Sequence, residues 1–234
     1  MCEYFILTKP ENLNISDNTK NQIISLNNKN YILPKCNINY YINNGLFENN
    51  LIEWSKQFCD KNKNMLDIGA HSGTYTISLA EHCNHIYSFE PQKMTYYSLC
   101  GSVALSNINN VTCYKYGLGS EEQVGEHFLN IVSLDGGGSS LHCNNENNIL
   151  KKEEIKILTL DSFNLQNIGF IKMDVEENEL QVLLGSVNTL KNSNYPKILF
   201  EMNEINTQLL DFLTKIGYNI TNINNYPNMY LAVK

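Results

Sequence analysis

A glycine turn and two acidic residues stand out between residues 65 and 91. Asp67, Gly69 and Gly73 follow an apolar run in the pattern Asp-x-Gly-x-x-x-Gly, and Glu90 ends the next apolar run. Gly69 permits a tight turn that brings the backbone close to a ligand, and Gly73 permits a helix to begin close to the preceding strand. We therefore expect a ligand site where the first run ends, with amide N–H groups of the helix pointing at it.

The pattern favours a nucleoside ligand without a pyrophosphate. A dinucleotide site would show Gly-x-Gly-x-x-Gly, whereas the segment from Gly69 to Gly73 lacks the middle glycine. The Glu90 carboxylate can accept hydrogen bonds from both hydroxyls of a ribose. Acidic residues at these two places suit S-adenosylmethionine (SAM), which carries an ammonium group and an unphosphorylated ribose. The alternative is that Asp67 only caps the helix and Glu90 is a solvated strand end.

Two further carboxylates, Asp174 and Glu201, end the apolar runs FIKMD and KILFE. Neighbouring carboxylates raise each other's pKa, which leaves one of them suited to accept the proton of a substrate hydroxyl. We predict that Asp174 is this base or orients the hydroxyl, and that Glu201 assists. Lys172 lies on the same face of the strand as Asp174 and can pair with it, or it is a surface lysine. Alternatively, Asp174 only binds the cofactor ammonium or caps the following helix, with Glu176 as a first-turn acid.

The segment LDGGGSSLHCNNENN is the predicted substrate lid, because its glycines give flexibility and its serines give hydroxyl donors. His142 at its far edge is a second candidate base, and a plain hairpin connection with an idle histidine is the alternative. Asp174, Glu201 and Asn203 also form a set of the oxygen ligands that magnesium prefers. Such carboxylates occur at strand ends without a metal as well, so no metal is expected to be required.

The elements that position these residues alternate along the chain. Apolar runs such as NMLDIGA and HIYSFEP alternate with helical segments, which predicts right-handed βαβ units and a mostly parallel sheet with helices on both faces. The run NVTCYKYGLG is predicted to form the third strand. The last two strands have no helix between them, so we expect an antiparallel hairpin at the C-terminal end. This α/β, Rossmann-like arrangement is typical of class I methyltransferases.

The predicted organisation is one α/β domain over residues 46–234, preceded by an N-terminal extension over residues 1–45. The extension is rich in asparagine and contains short apolar pieces such as NYILPKC. These pieces predict a strand or a hairpin that packs on the main fold.

Several segments together resemble the FkbM family of SAM-dependent methyltransferases. They are LDIGAHSGTYT, YSFEP, TLDSF, IGFIKMDVEENELQVLLGS and ILFEMNE, in that order, and GGGSSL is similar to the family's glycine-serine loop. The resemblance covers about residues 62–205 and implies O-methylation of a hydroxyl, most often on a sugar or a polyketide-like metabolite. His71 stands where the family often has Asn. Glu177 and Asn178 replace the usual Gly after DVE, which bears on the choice of substrate.

The resemblance also implies how the cofactor is held. The residues implied to line its methionine and ribose parts are Asp67, Gly69, Ala70, His71, Gly73 and Thr74. Glu90 is implied to hold the ribose, and Pro91 and the segment Tyr116, Gly117 and Leu118 are implied to flank the adenine. For His71, capping of the helix is an equal alternative.

Net charge, cysteine distribution and the lengths of the apolar runs restrict the classes of partner and the cellular location that we expect. The formal net charge is −7, which disfavours nucleic acid as a partner. Scattered cysteines, the lack of a signal-peptide pattern and the lack of an apolar run of about 20 residues predict a soluble, cytoplasmic protein with reduced thiols. We expect a small-molecule or glycan substrate and no membrane partner, and a homo-oligomer is compatible with the sequence.

Two other functions stay open. One is an RNA ribose 2′-O-methyltransferase, in which Lys172, Asp174 and Glu201 would belong to a Lys-Asp-Lys-Glu set. The other is a partner subunit that binds SAM without turnover. RNA binding with a steep salt dependence would favour the first, and SAM binding without any transfer would favour the second.

Overall fold

The computed structural model describes residues 21–142 and 146–234. Its strands are β1 (Asn21–Leu26), β2 (Lys29–Pro34), β3 (Asn64–Ile68), β4 (His85–Phe89), β5 (Val111–Tyr114), β6 (Gly117–Leu118), β7 (Gly125–Ile131), β8 (Lys151–Leu158), β9 (Ile168–Met173), β10 (Lys197–Glu201), β11 (Asn219–Ile223) and β12 (Tyr226–Val233). Its α-helices are α1 (Ile38–Asn44), α2 (Asn49–Ser55), α3 (Thr74–Leu79), α4 (Lys93–Leu105), α5 (Glu179–Leu184), α6 (Val187–Asn192) and α7 (Thr207–Lys215).

A seven-stranded sheet forms the centre of the fold, in the order β11-β12-β10-β9-β3-β4-β5. Neighbouring strands from β10 to β5 are parallel, so their carboxyl ends lie along one edge of the sheet. Strand β12 runs antiparallel to β10 and forms a hairpin with β11. The predicted mostly parallel sheet with a C-terminal antiparallel hairpin is confirmed.

The core lies on both faces of this sheet, because successive side chains of a strand point to opposite faces. Leu66 and Ile68 of β3 pack with Leu183 of α5 and Leu213 of α7. Met65, the residue before Leu66, points to the opposite face and belongs to the cluster that contains buried residues of α2 and α3. Helices therefore cover both faces, as the alternating pattern predicts.

A second sheet has three strands, in the order β6-β8-β7. It corrects one prediction, because the expected third strand divides into β5, which joins the large sheet, and β6, which pairs with β8. The chain comes close to β8 at Gly117, where an added Cβ would lie 3.2 Å from Ile157 Cγ1. The change of sheet at this point places β6 beside the carboxyl edge of the large sheet.

The N-terminal segment packs on the main fold. Strands β1 and β2 form an antiparallel hairpin, and β2 packs along α4. Tyr31 and Leu33 of β2 are buried in one cluster with Tyr75 of α3. A domain boundary at residue 45 stays a prediction, and the first 20 residues of the predicted extension lie outside the described residues.

The described cysteines form no disulfide; they are Cys36, Cys59, Cys83, Cys100 and Cys113. Cys2 and Cys143 lie outside the described residues. Across residues 21–142 and 146–234, no helix combines the length and the apolar character needed to cross a bilayer.

Candidate functional site

A cavity of about 400 Å³ opens at the carboxyl edge of the large sheet. Its walls come from the ends of β3, β4 and β9, from the small sheet and from the segment before α2. The predicted site residues that line it are Gly69, Ala70, His71, Thr74, Glu90, Pro91, Tyr116, Gly117, Leu118, Lys172 and Asp174. The predicted residues that do not line it are Asp67, Gly73, His142 and Glu201.

Two glycines shape the turn after β3. Gly69 has φ +76°, and a Cβ there would collide with the carbonyl oxygen of Asp174. The N–H of Gly69 donates to the carbonyl oxygen of Phe89 at 3.0 Å, which joins the ends of β3 and β4. Gly73 has φ +87°, and a Cβ there would lie 2.5 Å from Leu99 Cδ1. Gly69 therefore brings three strand ends together at the cavity, whereas Gly73 allows α3 to approach α4.

Asp67 lies behind the cavity wall and has no exposed surface. Its Oδ2 accepts hydrogen bonds from the N–H of Thr76 at 3.0 Å and from Thr76 Oγ1 at 2.6 Å, in the first turn of α3. Its Oδ1 has no hydrogen-bond partner within the described residues, and burial raises the pKa of the Asp67 carboxyl. These contacts match the helix-capping alternative, and a contact between Asp67 and the cofactor stays a prediction.

The Glu90 carboxylate is 6% exposed and organises the end of β4. Its Oε2 accepts a hydrogen bond from the N–H of His71 at 2.8 Å. Its Oε1 accepts from the N–H of Gln92 at 2.8 Å and from Thr95 Oγ1 at 2.9 Å. Because a carboxylate offers about four acceptor positions, one remains for a ligand hydroxyl. Burial raises the pKa of Glu90, and the alternative that Glu90 is a solvated strand end is wrong.

His71 joins the turn to the glycine-rich loop. It has φ +50°, and its Nε2 lies 2.8 Å from the carbonyl oxygen of Asp135. The Asp135 carboxylate accepts hydrogen bonds from Asn37 Nδ2 and Ser133 Oγ, each at 2.6 Å. These contacts hold the following glycines, Gly136–Gly138, at the cavity wall.

The far side of this loop is attached to the connection after β9. The N–H of Gly138 donates to Glu176 Oε1 at 2.9 Å, and Ser140 Oγ donates to the carbonyl oxygen of Glu176 at 2.9 Å. The loop thus forms a wall of the cavity, and its role as a substrate lid stays a prediction. His142 is exposed, donates its N–H to Ser140 Oγ at 3.2 Å and lies away from the cavity lining.

Lys172 and Asp174 form an ion pair at the end of β9. Lys172 is 5% exposed, and its Nζ lies 3.2 Å from Asp174 Oδ2 and 3.2 Å from the carbonyl oxygen of Gly69. The same Nζ lies 5.1 Å from the centre of the Tyr75 ring. Burial alone would lower the pKa of Lys172, but the surrounding carboxylates, Asp174 first, raise it above its ordinary value. Lys172 therefore keeps its positive charge in the interior, and the alternative of a surface lysine is wrong.

Three carboxylates gather at the ends of β9 and β10. Oxygen atoms of Asp174, Glu176 and Glu201 lie within 4.8 Å of one another. The Glu201 oxygens accept hydrogen bonds from Asn228 Nδ2 at 2.6 Å and from Asn203 Nδ2 at 3.0 Å. Burial, and then the charge of Asp174, raise the pKa of Glu201 to about 8. These three carboxylates differ from the predicted magnesium ligands Asp174, Glu201 and Asn203. The Asn203 amide donates to Glu201, and Glu176 supplies the third oxygen within 4.8 Å of the others.

The connection after β9 adopts a left-handed backbone at Glu176, with φ +51°, and at Glu177, with φ +73°. Glycine takes this conformation without the strain of about 1 kcal/mol that other residues incur, which explains why a glycine suits position 177. Asn178 lines the cavity and donates its Nδ2 to the carbonyl oxygen of Leu118 at 3.1 Å. The side chain of Asn178 thus ties this connection to β6.

One part of the cavity wall is apolar. Its side chains are Phe89, Leu118, Leu129, Ile155 and Ile157, with Tyr116 beside them. Such a wall suits a flat, weakly polar ring, because it removes apolar surface from water. Contact between this wall and the adenine of a nucleoside stays a prediction.

Several lining residues were missed by reasoning from the sequence. They come from the N-terminal segment, from α3 and from the loop before Gly136: Asn37, Tyr41, Phe47, Glu48, Tyr75 and Asp135. Glu48 Oε2 accepts a hydrogen bond from the hydroxyl of Tyr75 at 2.9 Å. No local motif marks these residues, because their place at the cavity depends on packing between distant segments.

Known proteins share this architecture. The family model described as the methyltransferase FkbM domain matches residues 67–220, more than half of the chain. A structure of an FkbM methyltransferase from Methylobacillus flagellatus KT has a TM-score of 0.51 and 20% identity, over 74% of this chain and 44% of that chain. This chain therefore spans less than half the length of that relative. A Clostridium thermocellum protein assigned as an rRNA methylase has a TM-score of 0.50 and 12% identity, over 80% of this chain and 94% of that chain.

At these identities the structural likenesses show the fold alone, and among curated proteins none matches the sequence. The family match is more specific, because it covers the segment that contains Gly69, Glu90 and Asp174. The chain therefore belongs to the FkbM family of SAM-dependent methyltransferases, with SAM as its cofactor.

Proposed function

We propose that this protein transfers the methyl group of SAM to a hydroxyl of a sugar or of a glycan-related small molecule. The observation that carries the proposal is the position of Asp174. This carboxylate lines the cavity at the end of β9, is fixed by the buried Lys172 and lies beside Glu201. A hydroxyl acceptor needs a nearby group that takes its proton, and a carboxylate held in this way meets that need.

The residues of the cavity fit SAM. Glu90 retains an acceptor position for a ribose hydroxyl, the apolar wall around Leu118 suits the adenine, and Gly69 leaves room that a side chain would fill. The negative charge of Glu90 suits a cationic ligand. When bound, SAM supplies an activated methyl group on its sulfonium. The leaving group is a neutral thioether, which needs no protonation. The chain's own task is to align the acceptor and to take up its proton.

We assign Asp174 as the base and Glu201 as a residue that positions it. Lys172 Nζ holds Asp174 Oδ2 on one side. On the other side Glu201 has a pKa of about 8, so it keeps a proton at neutral pH and can share it with Asp174. Asp174 then receives the acceptor proton on its carboxylate. The exposed position of His142 gives no support to the second candidate base.

The two rival functions gain less support. The formal net charge of −7 disfavours a nucleic-acid partner, which weakens the proposal of an RNA 2′-O-methyltransferase. A subunit without turnover has no need for a fixed carboxylate beside the cofactor cavity. The carboxylates of Asp174, Glu176 and Glu201 have the spacing of metal ligands. Acidic side chains also gather without a metal, and we assign no metal to these three.

The substitution Asp174→Asn tests the proposal. With methyl-labelled SAM and a panel of neutral methyl glycosides, we expect kcat to fall by about 100-fold or more, because loss of a general base typically has this effect. Calorimetry should give a SAM Kd within about threefold of the wild type, because the group that holds the ribose is unchanged.

The matched control is Asp211→Asn, which removes an exposed carboxylate on α7. It should leave both kcat and SAM affinity unchanged. Full turnover by the Asp174→Asn protein would refute the assignment of the base. SAM binding by the wild type without transfer to any hydroxyl would refute the proposed reaction and favour a subunit without turnover.

A further inference from the structure

A second cavity, of about 430 Å³, lies next to the first. It is formed by α1, by the turn and the start of α2, and by the first residue of β12. Phe47 and Glu48 line both cavities, so the two spaces meet at these side chains.

The wall of the second cavity combines aromatic rings with amide groups. Tyr40 and Phe47 stack at 4.1 Å between ring centres and are 38% and 41% exposed. Asn44, Asn49 and Tyr226 add groups that both donate and accept hydrogen bonds. Stacked, accessible rings offer an apolar face to the C–H side of a sugar ring, and the amides match its hydroxyls.

The charges of this wall discriminate between classes of sugar. Glu48 is the charged residue of the lining, which includes no lysine and no arginine from the described part of the chain. A phosphate or a carboxylate on the ligand would therefore meet a negative charge and find no cation. An uncharged, hydroxyl-rich ligand fits this wall, whereas a nucleotide-linked sugar does not.

Glu48 also connects the second cavity to the proposed base. Its backbone is left-handed, with φ +54°, a conformation that costs about 1–2 kcal/mol for a residue other than glycine. Its Oε2 accepts the hydroxyl hydrogen of Tyr75, and the ring of Tyr75 lies against the ammonium group of Lys172. Lys172 in turn holds Asp174. The strained turn thus directs a carboxylate to the junction of the two cavities, on the side where Asp174 lies.

We propose that this second cavity is the acceptor site, that it takes a neutral carbohydrate packed against the free face of the stacked pair of Tyr40 and Phe47, and that Glu48 orients the hydroxyl to be methylated towards Asp174. The inference rests on the proposed function and deepens it, because it names the class of acceptor and the residues that select it.

The test uses the whole chain saturated with S-adenosylhomocysteine and measures ligand binding by saturation-transfer NMR. The probes are methyl α-D-glucopyranoside and methyl α-L-rhamnopyranoside, with glucose 1-phosphate and UDP-glucose as charged comparators. The test protein carries Tyr40→Ala and Asn44→Ala, which alter the second cavity only. The control carries Trp54→Ala, which removes an equally exposed aromatic ring outside both cavities.

We expect the neutral glycosides to bind at least fivefold more weakly to the double variant than to the wild type and to the control. We also expect the charged comparators to bind more weakly than the neutral probes in the wild type. Retained affinity for S-adenosylhomocysteine in the double variant verifies that it is folded. Equal binding of the glycosides by all three proteins, preferential binding of glucose 1-phosphate, or binding of no glycoside would each overturn the inference.

Methyl transfer by the same proteins separates this inference from the proposed function. Transfer to a glycoside with the same KM in the wild type and the double variant would refute the acceptor site while the proposed function stands. Absence of transfer to every glycoside by the wild type, although it binds SAM, would refute the proposed function itself.

Discussion

The two halves of the site differ in how the chain builds them. At the ends of β3 and β4, Gly69 and Glu90 are fixed by backbone hydrogen bonds, and Glu90 already holds three donors. At the end of β9 and in the N-terminal segment, by contrast, Asp174 and Glu48 are held by the side chains of Lys172 and Tyr75. Lys172 also donates to the carbonyl oxygen of Gly69, which lies more than 100 residues earlier in the chain. The first half is assembled from neighbours within about one βαβ unit, and the second half requires the whole fold.

The way in which each half is built indicates which kind of ligand it suits. A backbone-built pocket has little freedom to change without loss of the fold, and it suits a ligand that is always the same. A pocket of side chains on a short helix and a turn can change its ligand by substitution, since rigid elements underneath it carry the stability. We therefore expect substitutions in the first half to affect SAM binding together with stability, and substitutions in the second half to affect transfer alone.

The largest effect is expected for Gly69→Ala. The new Cβ would collide with the carbonyl oxygen of Asp174, at a residue with φ +76°. We expect a loss of more than about 3 kcal/mol in the free energy of unfolding, measured with urea, and no detectable SAM binding by calorimetry.

Gly45→Ala is the matched control for this change. Gly45 has nearly the same backbone angle, φ +78°, but its added Cβ would meet no atom within 4 Å. The expected loss is about 1–3 kcal/mol, because at φ +78° and ψ −151° the backbone of Gly45 lies in a region that is open almost only to glycine. Equal losses for the two substitutions would mean that the close approach between β3 and β9 is unimportant.

A smaller effect is expected for Glu90→Gln, which removes the acceptor charge but keeps the size of the side chain. The SAM Kd should rise by about 10- to 100-fold, or about 1.4–2.8 kcal/mol, because a charge-assisted hydrogen bond to the ribose is lost. Thr95→Val removes the hydroxyl that lies 2.9 Å from both Glu90 Oε1 and the carbonyl oxygen of Gln92, and it serves as the control. The same loss of affinity in both variants would show that Glu90 acts by supporting the turn and not by binding the cofactor.

The smallest effect is expected for Glu201→Gln and concerns pH. The folded-state pKa of Glu201 is about 8, above its ordinary value of 4.5, so between these values the folded protein binds a proton that the unfolded chain does not. The stability that this proton provides is complete below about pH 4.5 and is lost as the pH rises through 8. Because Glu201 is only half-buried, we expect about 1–2 kcal/mol in total.

Urea unfolding of the wild type and Glu201→Gln at pH 5 and pH 8.5 measures this effect. The wild type should lose more stability between the two pH values than the variant does. Glu204→Gln, at an exposed position shortly after β10, should behave as the wild type. Identical pH dependence of the wild type and the Glu201 variant would contradict the raised pKa and remove Glu201 from its assisting role.

Local spacing predicted where β3 and β4 end. The glycines after β3 and the acid after β4 mark strand ends, and parallel strands bring those ends together whatever lies between them. The same reasoning placed Lys172 and Asp174 on one face of β9, where they form an ion pair. It also predicted the hairpin of β11 and β12, because no helical segment separates them.

Other features depended on contacts that the sequence does not display. The run from Asn110 to Gly119 has the character of one strand, yet its second part pairs with β8, more than 30 residues later. Glu48 follows an asparagine-rich stretch that carries no signal of a binding site, and only the packing of the N-terminal segment on α3 brings it to Tyr75. Asp67 has the spacing of a cofactor ligand, but its hydrogen bonds go to α3.

The most direct test of the two-halves account is a calorimetric titration of SAM into three proteins: the wild type, Glu90→Gln and Asp174→Asn. We expect Asp174→Asn to bind SAM within about threefold of the wild type, and Glu90→Gln to bind it at least tenfold more weakly. Equal weakening in both variants, or no binding by the wild type, would contradict the two-halves account.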